Sequence, residues 1–183
     1  MLFRSVPVEC AVAVYDALMD AGRDLGLVNA GYYALESLRM EKAYRAWGRE
    51  VTPDDTPLEA GLAFAVRFDK AVPFLGREAL LEQRRRGVKK RLLVFTLDDP
   101  LALPLGDEPI LRDGVPVGST TSAAFGHTLG RAVAMGYAKR ADGTADRAWI
   151  DAGRYAIEIA GERVPATLHH QAPYDPSGAR VRA

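Results

Sequence analysis

Residues 29–62 read NAGYYALESLRMEKAYRAWGREVTPDDTPLEAGL, and the rest of the chain is organised around them. Tyr33, Leu35, Leu38, Met40 and Tyr44 recur on roughly a 3.6-residue period, with Glu36, Arg39, Glu41, Lys42 and Arg45 between them. That pattern predicts an amphipathic helix. Asn29 is expected to cap its start and Gly48 to supply a left-handed residue at its end. Thr52-Pro53-Asp54-Asp55-Thr56-Pro57 then predicts a stiff connection, because two prolines fix φ and the Asp pair favours local side-chain turns. It delivers Leu58-Glu59-Ala60-Gly61-Leu62 as a compact loop. The next residues, LAFAVRF (62–68), alternate and are rich in β-formers, which predicts a strand. A helix, a stiff loop and a glutamate among small residues can form one wall of a ligand cleft. The same pattern also describes a surface helix and a turn.

Composition narrows the class. The chain has 183 residues, enough for one good core or two small domains. Its 24 basic residues balance 24 acidic ones, so no bulk field recruits nucleic acid or an anionic membrane. One cysteine, Cys10, excludes an intrachain disulfide and a cysteine-based metal framework, and fits a reducing compartment. Among Val6, Val8, Ala11 and Val14 it reads as a small buried hydrophobe. No apolar run is long enough to span a bilayer, and the first residues carry no secretory pattern. A cytoplasmic location is therefore expected.

Working outward, Leu2 to Val6 predicts a short strand ended by Pro7. From Glu9 to Leu25 a stripe of Ala11, Val14, Tyr15, Leu18, Met19 and Leu25 predicts a helix closed by Gly26. Gly76 to Gly87 predicts another, ending in Arg84-Arg85-Arg86, where cations complement the helix dipole. Past Arg91 the period changes to two. Segments 91–97, 109–118, 131–140, 154–161 and 162–170 each alternate or run apolar, with Asp113-Gly114 and Gly161-Glu162 as hairpin turns. Five or six such strands suggest a small antiparallel barrel or sandwich. Gly118-Ser119-Thr120-Thr121-Ser122 reads as a barrel-edge turn facing a cleft, without the glycine spacing and lysine of a phosphate loop. Asp142 and Asp146 read as turn formers in a polar loop.

Four blocks carry a resemblance. Ser37-Leu38-Arg39-Met40-Glu41-Lys42, Trp47-Gly48, Thr56-Pro57-Leu58-Glu59-Ala60-Gly61-Leu62 and Phe74 to Leu80 stand in an order and spacing that resemble the aminomethyltransferase family, the T-protein of the glycine cleavage system. They look most like the folate-binding region of dimethylglycine and sarcosine dehydrogenases. Gly118 to Ser122, Thr128-Leu129-Gly130 and the strand from Ala132 to Tyr137 resemble that family's C-terminal barrel. The resemblance runs from about Val6 to about Asp175. It implies an α+β N-terminal piece over 1–88, part of a folate-binding domain, then a small antiparallel β-barrel over 89–175, and a frayed tail over 176–183. The family's Gly-Glu-Leu-Gly-type motif and its upstream catalytic acid are absent from these residues. The chain is therefore expected to be the C-terminal part of a larger enzyme, whether fragment, split gene product or miscalled start.

The implied chemistry is one-carbon transfer from an amine such as glycine, sarcosine or dimethylglycine to tetrahydrofolate. A site for it must hold a flat polar pterin and exclude water from a reactive iminium. A carboxylate suits the pterin's N–H donors, because a bidentate charge-assisted pair also fixes orientation. The resemblance places Glu59 near that cleft beside Ala60, with Trp47 or Tyr33 as an aromatic wall. Arg39 is a further contact, or a structural pair with a neighbouring acid. An arginine that binds the folate tail in many T-proteins is Leu35 here, as in the dehydrogenase branch. No catalytic residue is assigned. FAD is expected only with an upstream domain or partner, since no GxGxxG follows a strand. His127, His169 and His170 lack acidic partners at ligand spacing, so no metal site is expected, and no nucleophile elbow surrounds a serine. The alternative is a non-catalytic remnant or subunit that assembles with another chain.

Overall fold

The computed structural model describes residues 5–180 and residue 182. It divides into two compact units, one up to Leu35 and one from Glu36 onward. In the first unit a 3₁₀ turn, Val8–Cys10, leads into helix α1, Ala11–Gly22, and a second 3₁₀ turn, Arg23–Leu25. Gly26 ends it with φ 71°, the left-handed closure expected of it. Helix α2, Tyr32–Glu41, starts in this unit and finishes in the second.

The second unit is dominated by a closed antiparallel barrel. Helix α3, Arg77–Arg86, precedes β1, Lys90–Leu97; then come β2, Pro109–Arg112, β3, Val115–Gly126, and β4, Arg131–Lys139. A short helix α4, Arg147–Ala152, leads to β5, Tyr155–Ile159, and β6, Glu162–His169. The strand order is β1-β4-β3-β2-β5-β6, closing on itself. Alternation sorts the side chains. Leu93, Phe95 and Leu97 of β1 point into the barrel with Ile110, Ala134, Tyr155 and Ile157. Leu92 and Val94 point outward, where Val133, Met135 and Tyr137 of β4 join Met40 and Ala43 from the end of α2. Strands buried on both faces lose their polar alternation, which is why β1 and β4 read as continuous apolar runs.

Two glycines let β3 and β4 curve. A Cβ on Gly118 would lie 1.8 Å from the Tyr137 carbonyl oxygen, and one on Gly136 would lie 2.3 Å from that of Ser119. A register shift between Thr120 and Ser122 bends the same strand pair.

Several expectations need correction. The predicted strand over 62–68 is a 3₁₀ turn, Ala63–Ala65, among turns, and the described part of the N-terminal piece is helical. A strand needs a neighbour to satisfy its backbone, and among the described residues nothing pairs with this segment. Gly118 to Ser122 is no edge turn but the middle of β3. Helix α2 ends at Glu41, and Ala43, not Gly48, takes the left-handed position after it with φ 51°. Gly48 has φ 85° within a separate turn bridged by Trp47 and Val51. Asn29 precedes α2 without capping it; its amide donates to the Tyr15 hydroxyl at 2.7 Å. The last hairpin turns at Ala160-Gly161, one residue earlier than expected, with φ of 50° and 86°. Cys10 is exposed rather than buried, because the stripe of α1 finds no cover within its own unit. The strand expected over 2–6 falls at residues 2–4 outside the described residues. Among the tail residues, Gly178 N–H donates to the Asp175 carbonyl and Ala179 N–H to its carboxylate, so residues 175–179 form a bonded turn.

Candidate functional site

The end of α2 is fastened to the barrel by buried polar groups. Glu41 is 1% exposed and accepts from Thr128 N–H at 2.6 Å, its hydroxyl at 2.9 Å and Leu129 N–H at 3.2 Å. Ser37 Oγ donates to the Phe125 carbonyl. Both bonds hold the turn between β3 and β4. Arg39 donates to Glu36, to the Tyr44 carbonyl and, through Nη1, to Glu50 at 2.7 Å. Glu50 is fully buried and also accepts from Ala46 N–H and the Thr121 hydroxyl. Burial pushes its carboxyl up, but these donors and the Arg39 charge outweigh it and hold the group below the usual carboxylate range.

The connection from Thr52 to Gly61 is built by its own side chains. Asp55 accepts from the N–H and hydroxyl of Thr52 and pairs with Lys90 at 2.7 Å. Thr56 and Glu59 form a reciprocal capping box: Glu59 Oε2 accepts from Thr56 N–H, and Glu59 N–H donates to Thr56 Oγ1. The Glu59 carbonyl accepts from Leu92 N–H at 2.9 Å, tying the loop to β1. Buried Ala60 offers its carbonyl to Arg45 Nε.

Between this loop and the end of α2 lies an open groove of about 510 Å³, lined by Lys42, Tyr44, Arg45, Trp47, Leu62 and Phe64. Trp47 is 75% and Phe64 85% exposed, so two aromatic rings face solvent there. Lys42 is engaged by Asp175 at 3.1 Å. Arg45 is held by the carbonyls of Ala43 and Ala60 and, among the described residues, makes no salt bridge. Burial pushes its guanidinium down, with Tyr137 and Glu50 acting in the other direction.

The sequence-predicted residues are therefore dispersed. Trp47 lines the groove, Glu59 caps the adjoining loop, and Ala60 is its buried floor. Arg39 does not line the groove and is paired with Glu36 and Glu50. Tyr33 is 94% exposed and belongs to the other compact unit. Arg45 and Phe64 escaped sequence reasoning. Arg45 looked like one more polar residue on a helix that in fact ends at Glu41, and Phe64 was hidden in a supposed strand.

The histidines also differ from expectation. His170 does have an acidic partner: Asp151 of α4 lies 2.6 Å from its Nε2. The pairing was invisible because no element was expected over residues 147–152; Asp146, read as a turn former, caps α4 by accepting from Trp149 N–H. His169 contacts Thr96 Oγ1 at 2.8 Å. Among the described residues no group of histidine, cysteine and carboxylate side chains could hold a metal ion. Among the described residues no helix is long and apolar enough to cross a membrane.

A closed six-stranded antiparallel barrel, fastened by buried glutamates to a helix and a capped Thr-Pro-Leu-Glu loop, places this chain in the class of aminomethyltransferase barrel proteins. The family model described as GCVT N-terminal domain matches residues 5–70, and that described as Glycine cleavage T-protein C-terminal barrel domain matches residues 90–175. The chain belongs to the glycine cleavage T-protein, or aminomethyltransferase, family. It is 43% identical over 178 residues to human mitochondrial sarcosine dehydrogenase, covering 97% of this chain and 19% of that one. It is 43% identical over 171 residues to the mitochondrial pyruvate dehydrogenase phosphatase regulatory subunit of Mus musculus, covering 88% and 20%. The crystal structure of the glycine cleavage system aminomethyltransferase T from Bartonella henselae superposes with a TM-score of 0.78 at 26% identity, over 93% of this chain and 45% of that one. The chain thus spans about a fifth of the length of these two curated relatives.

Proposed function

We propose that this chain forms part of a tetrahydrofolate-dependent enzyme that moves a one-carbon unit from an amine such as glycine, sarcosine or dimethylglycine. The observation that carries the reading is the groove beside the capping-box loop. Trp47 and Phe64 offer faces to a flat heterocycle, and Arg45 offers a guanidinium that has no carboxylate partner among the described residues. This donor set fits a reduced folate, which pairs a flat pterin with a carboxylate tail. Tetrahydrofolate, when bound, accepts the one-carbon unit. The residues present would bind it, orient it and keep water from its face. Glu59 would receive pterin N–H donors on Oε1, since Oε2 already accepts from Thr56. Ala60 would floor the site and Arg39 would act indirectly, by fixing Glu50 and the Tyr44 carbonyl. Tyr33, with its side chain exposed, would be the further aromatic candidate. FAD would belong to an upstream domain or partner.

Calorimetry with a reduced folate tests this. Weak binding by the wild type should fall at least about tenfold in Phe64→Ala and Arg45→Gln, the usual effect of losing a stacking or charge-assisted contact. Equal affinities in all three proteins would remove folate from the groove.

A second reading is a non-catalytic module that works by assembly. Its support is the regulatory-subunit relative and the exposed apolar side chains Val12, Tyr15, Leu18, Leu25 and Val28 of the first unit.

A further inference from the structure

The barrel has a seam. Strand β1 is paired with β4 along its length, but β6 joins its other edge only from Val94, opposite His169. Arg91, Leu92 and Leu93 are left beyond the end of β6, and a polar cavity of about 250 Å³ opens there. Its ionisable walls are Arg45, Arg91, Arg147, His169 and His170.

Charge in this cavity does not balance. Among the described residues, Arg147 and His170 share Asp151, at 3.0 Å and 2.6 Å, whereas Arg45 and Arg91 make no salt bridge. Arg91 also has a buried Nε that donates to nothing. A buried donor without an acceptor costs about as much as a lost hydrogen bond, so native structures rarely leave one. Burial pushes the His169 imidazole down, with Arg131 and His170 acting the same way, so the ring adds no cation of its own and keeps a neutral nitrogen. Arg91 without a carboxylate, beside Arg147 whose one carboxylate is shared with His170, presents forked donors to a small polar cavity, of the kind that bind planar or tetrahedral oxyanions.

We propose that this seam cavity binds a compact oxyanion carrying two or more negative charges, held by Arg91 and Arg147. The site is independent of the folate reading, because it lies at the β1–β6 seam and its probe contains no heterocycle. Arg45 borders both cavities and is left unaltered in the test. The 183-residue chain is titrated by calorimetry with inorganic phosphate and, separately, with succinate, each against chloride at matched ionic strength. At least one should bind with a Kd of about 1 mM or tighter, and the tighter one names the class, phosphoryl or carboxylate. Arg91→Gln and Arg147→Gln should each weaken it at least about tenfold, while Arg154→Gln, on an exposed side chain away from the cavity, should leave it unchanged. If Arg91→Gln fails to fold by circular dichroism, Arg91→Lys is used instead; it keeps the charge but loses the fork, and should still weaken binding. Binding of neither anion beyond chloride, or equal affinity in the Arg91 variant, overturns the proposal.

Discussion

Glu50 shows how much one residue can hold in place. Its carboxylate joins the α2 side chain Arg39, the Ala46 backbone and Thr121 of β3, and its own carbonyl accepts from the Tyr137 hydroxyl at 2.8 Å. Glu50→Ala leaves the mostly buried Arg39 guanidinium with Glu36 as its one carboxylate and removes the acceptor of Ala46 N–H and Thr121, so thermal or urea unfolding should show a loss of about 3–5 kcal/mol. A loss under about 1 kcal/mol would mean that solvent replaces the carboxylate at Arg39. The same group dictates a pH dependence. Its folded pKa lies below the unfolded value of about 4.3, so its stabilisation is complete above that value. It is lost as pH falls through the folded pKa. The wild type should therefore lose more stability between about pH 5 and pH 3 than Glu50→Gln does. Parallel pH profiles for the two proteins would rule Glu50 out as the source.

At the scale of elements, the Thr56–Glu59 box carries two roles that can be separated. Removing a cap costs about 0.5–2 kcal/mol, so Glu59→Ala and Thr56→Ala should destabilise to similar degrees in denaturant titrations. Only Glu59→Ala should also weaken a reduced folate. If both variants weaken it alike, the loop's shape matters and the carboxylate makes no contact. The box was spelled out in Thr-Pro-Leu-Glu, yet the sequence suggested a ligand-facing glutamate and not its cap. The barrel strands were legible because burial leaves a local pattern: β5 and β6 alternate with period two, while β1 and β4 run apolar almost throughout. What local pattern could not supply was partnership. LAFAVRF has the side chains of a strand but no neighbour, and Gly118 to Ser122 has the composition of a turn but sits where β2 and β4 both pair. Helix α4 is only six residues long, too short for its period to stand out, and with it went the Asp151–His170 pair.

At the scale of the whole molecule, we propose a domain boundary at residues 88–89, within a unit that is nonetheless bonded across it. Arg85 and Arg86 are exposed at the end of α3, so trypsin should nick there first. The two pieces should stay together on native gel filtration, because Glu41, Glu50 and Asp55 reach from the first piece to Thr128, Thr121 and Lys90 of the second. Separation without denaturant would show that these bonds are too weak to hold the halves.

Turnover is the last property that belongs to the molecule as a whole. Proton transfer in amine demethylation needs a positioned carboxylate, and such groups contribute about two to four orders of magnitude in rate. Among the described residues no carboxylate lines the groove, and those of the adjoining segments are committed elsewhere: Glu50 to Arg39, Asp55 to Lys90, Asp175 to Lys42 and Glu59 Oε2 to Thr56. Burial pushes the Asp55 and Asp175 carboxyls up, but Lys90 with Thr52, and Lys42 with Ala179, outweigh it. A carboxyl held below its ordinary range is a poor proton acceptor at neutral pH. These 183 residues alone should therefore form no methylene-tetrahydrofolate, and release no formaldehyde, from sarcosine, dimethylglycine or an aminomethylated carrier protein. Adding the upstream region of a dehydrogenase relative, as a separate chain, should restore turnover if the groove is a catalytic wall. Activity in the isolated chain would place the proton acceptor among these committed carboxylates. Continued silence with folate bound would favour the non-catalytic module.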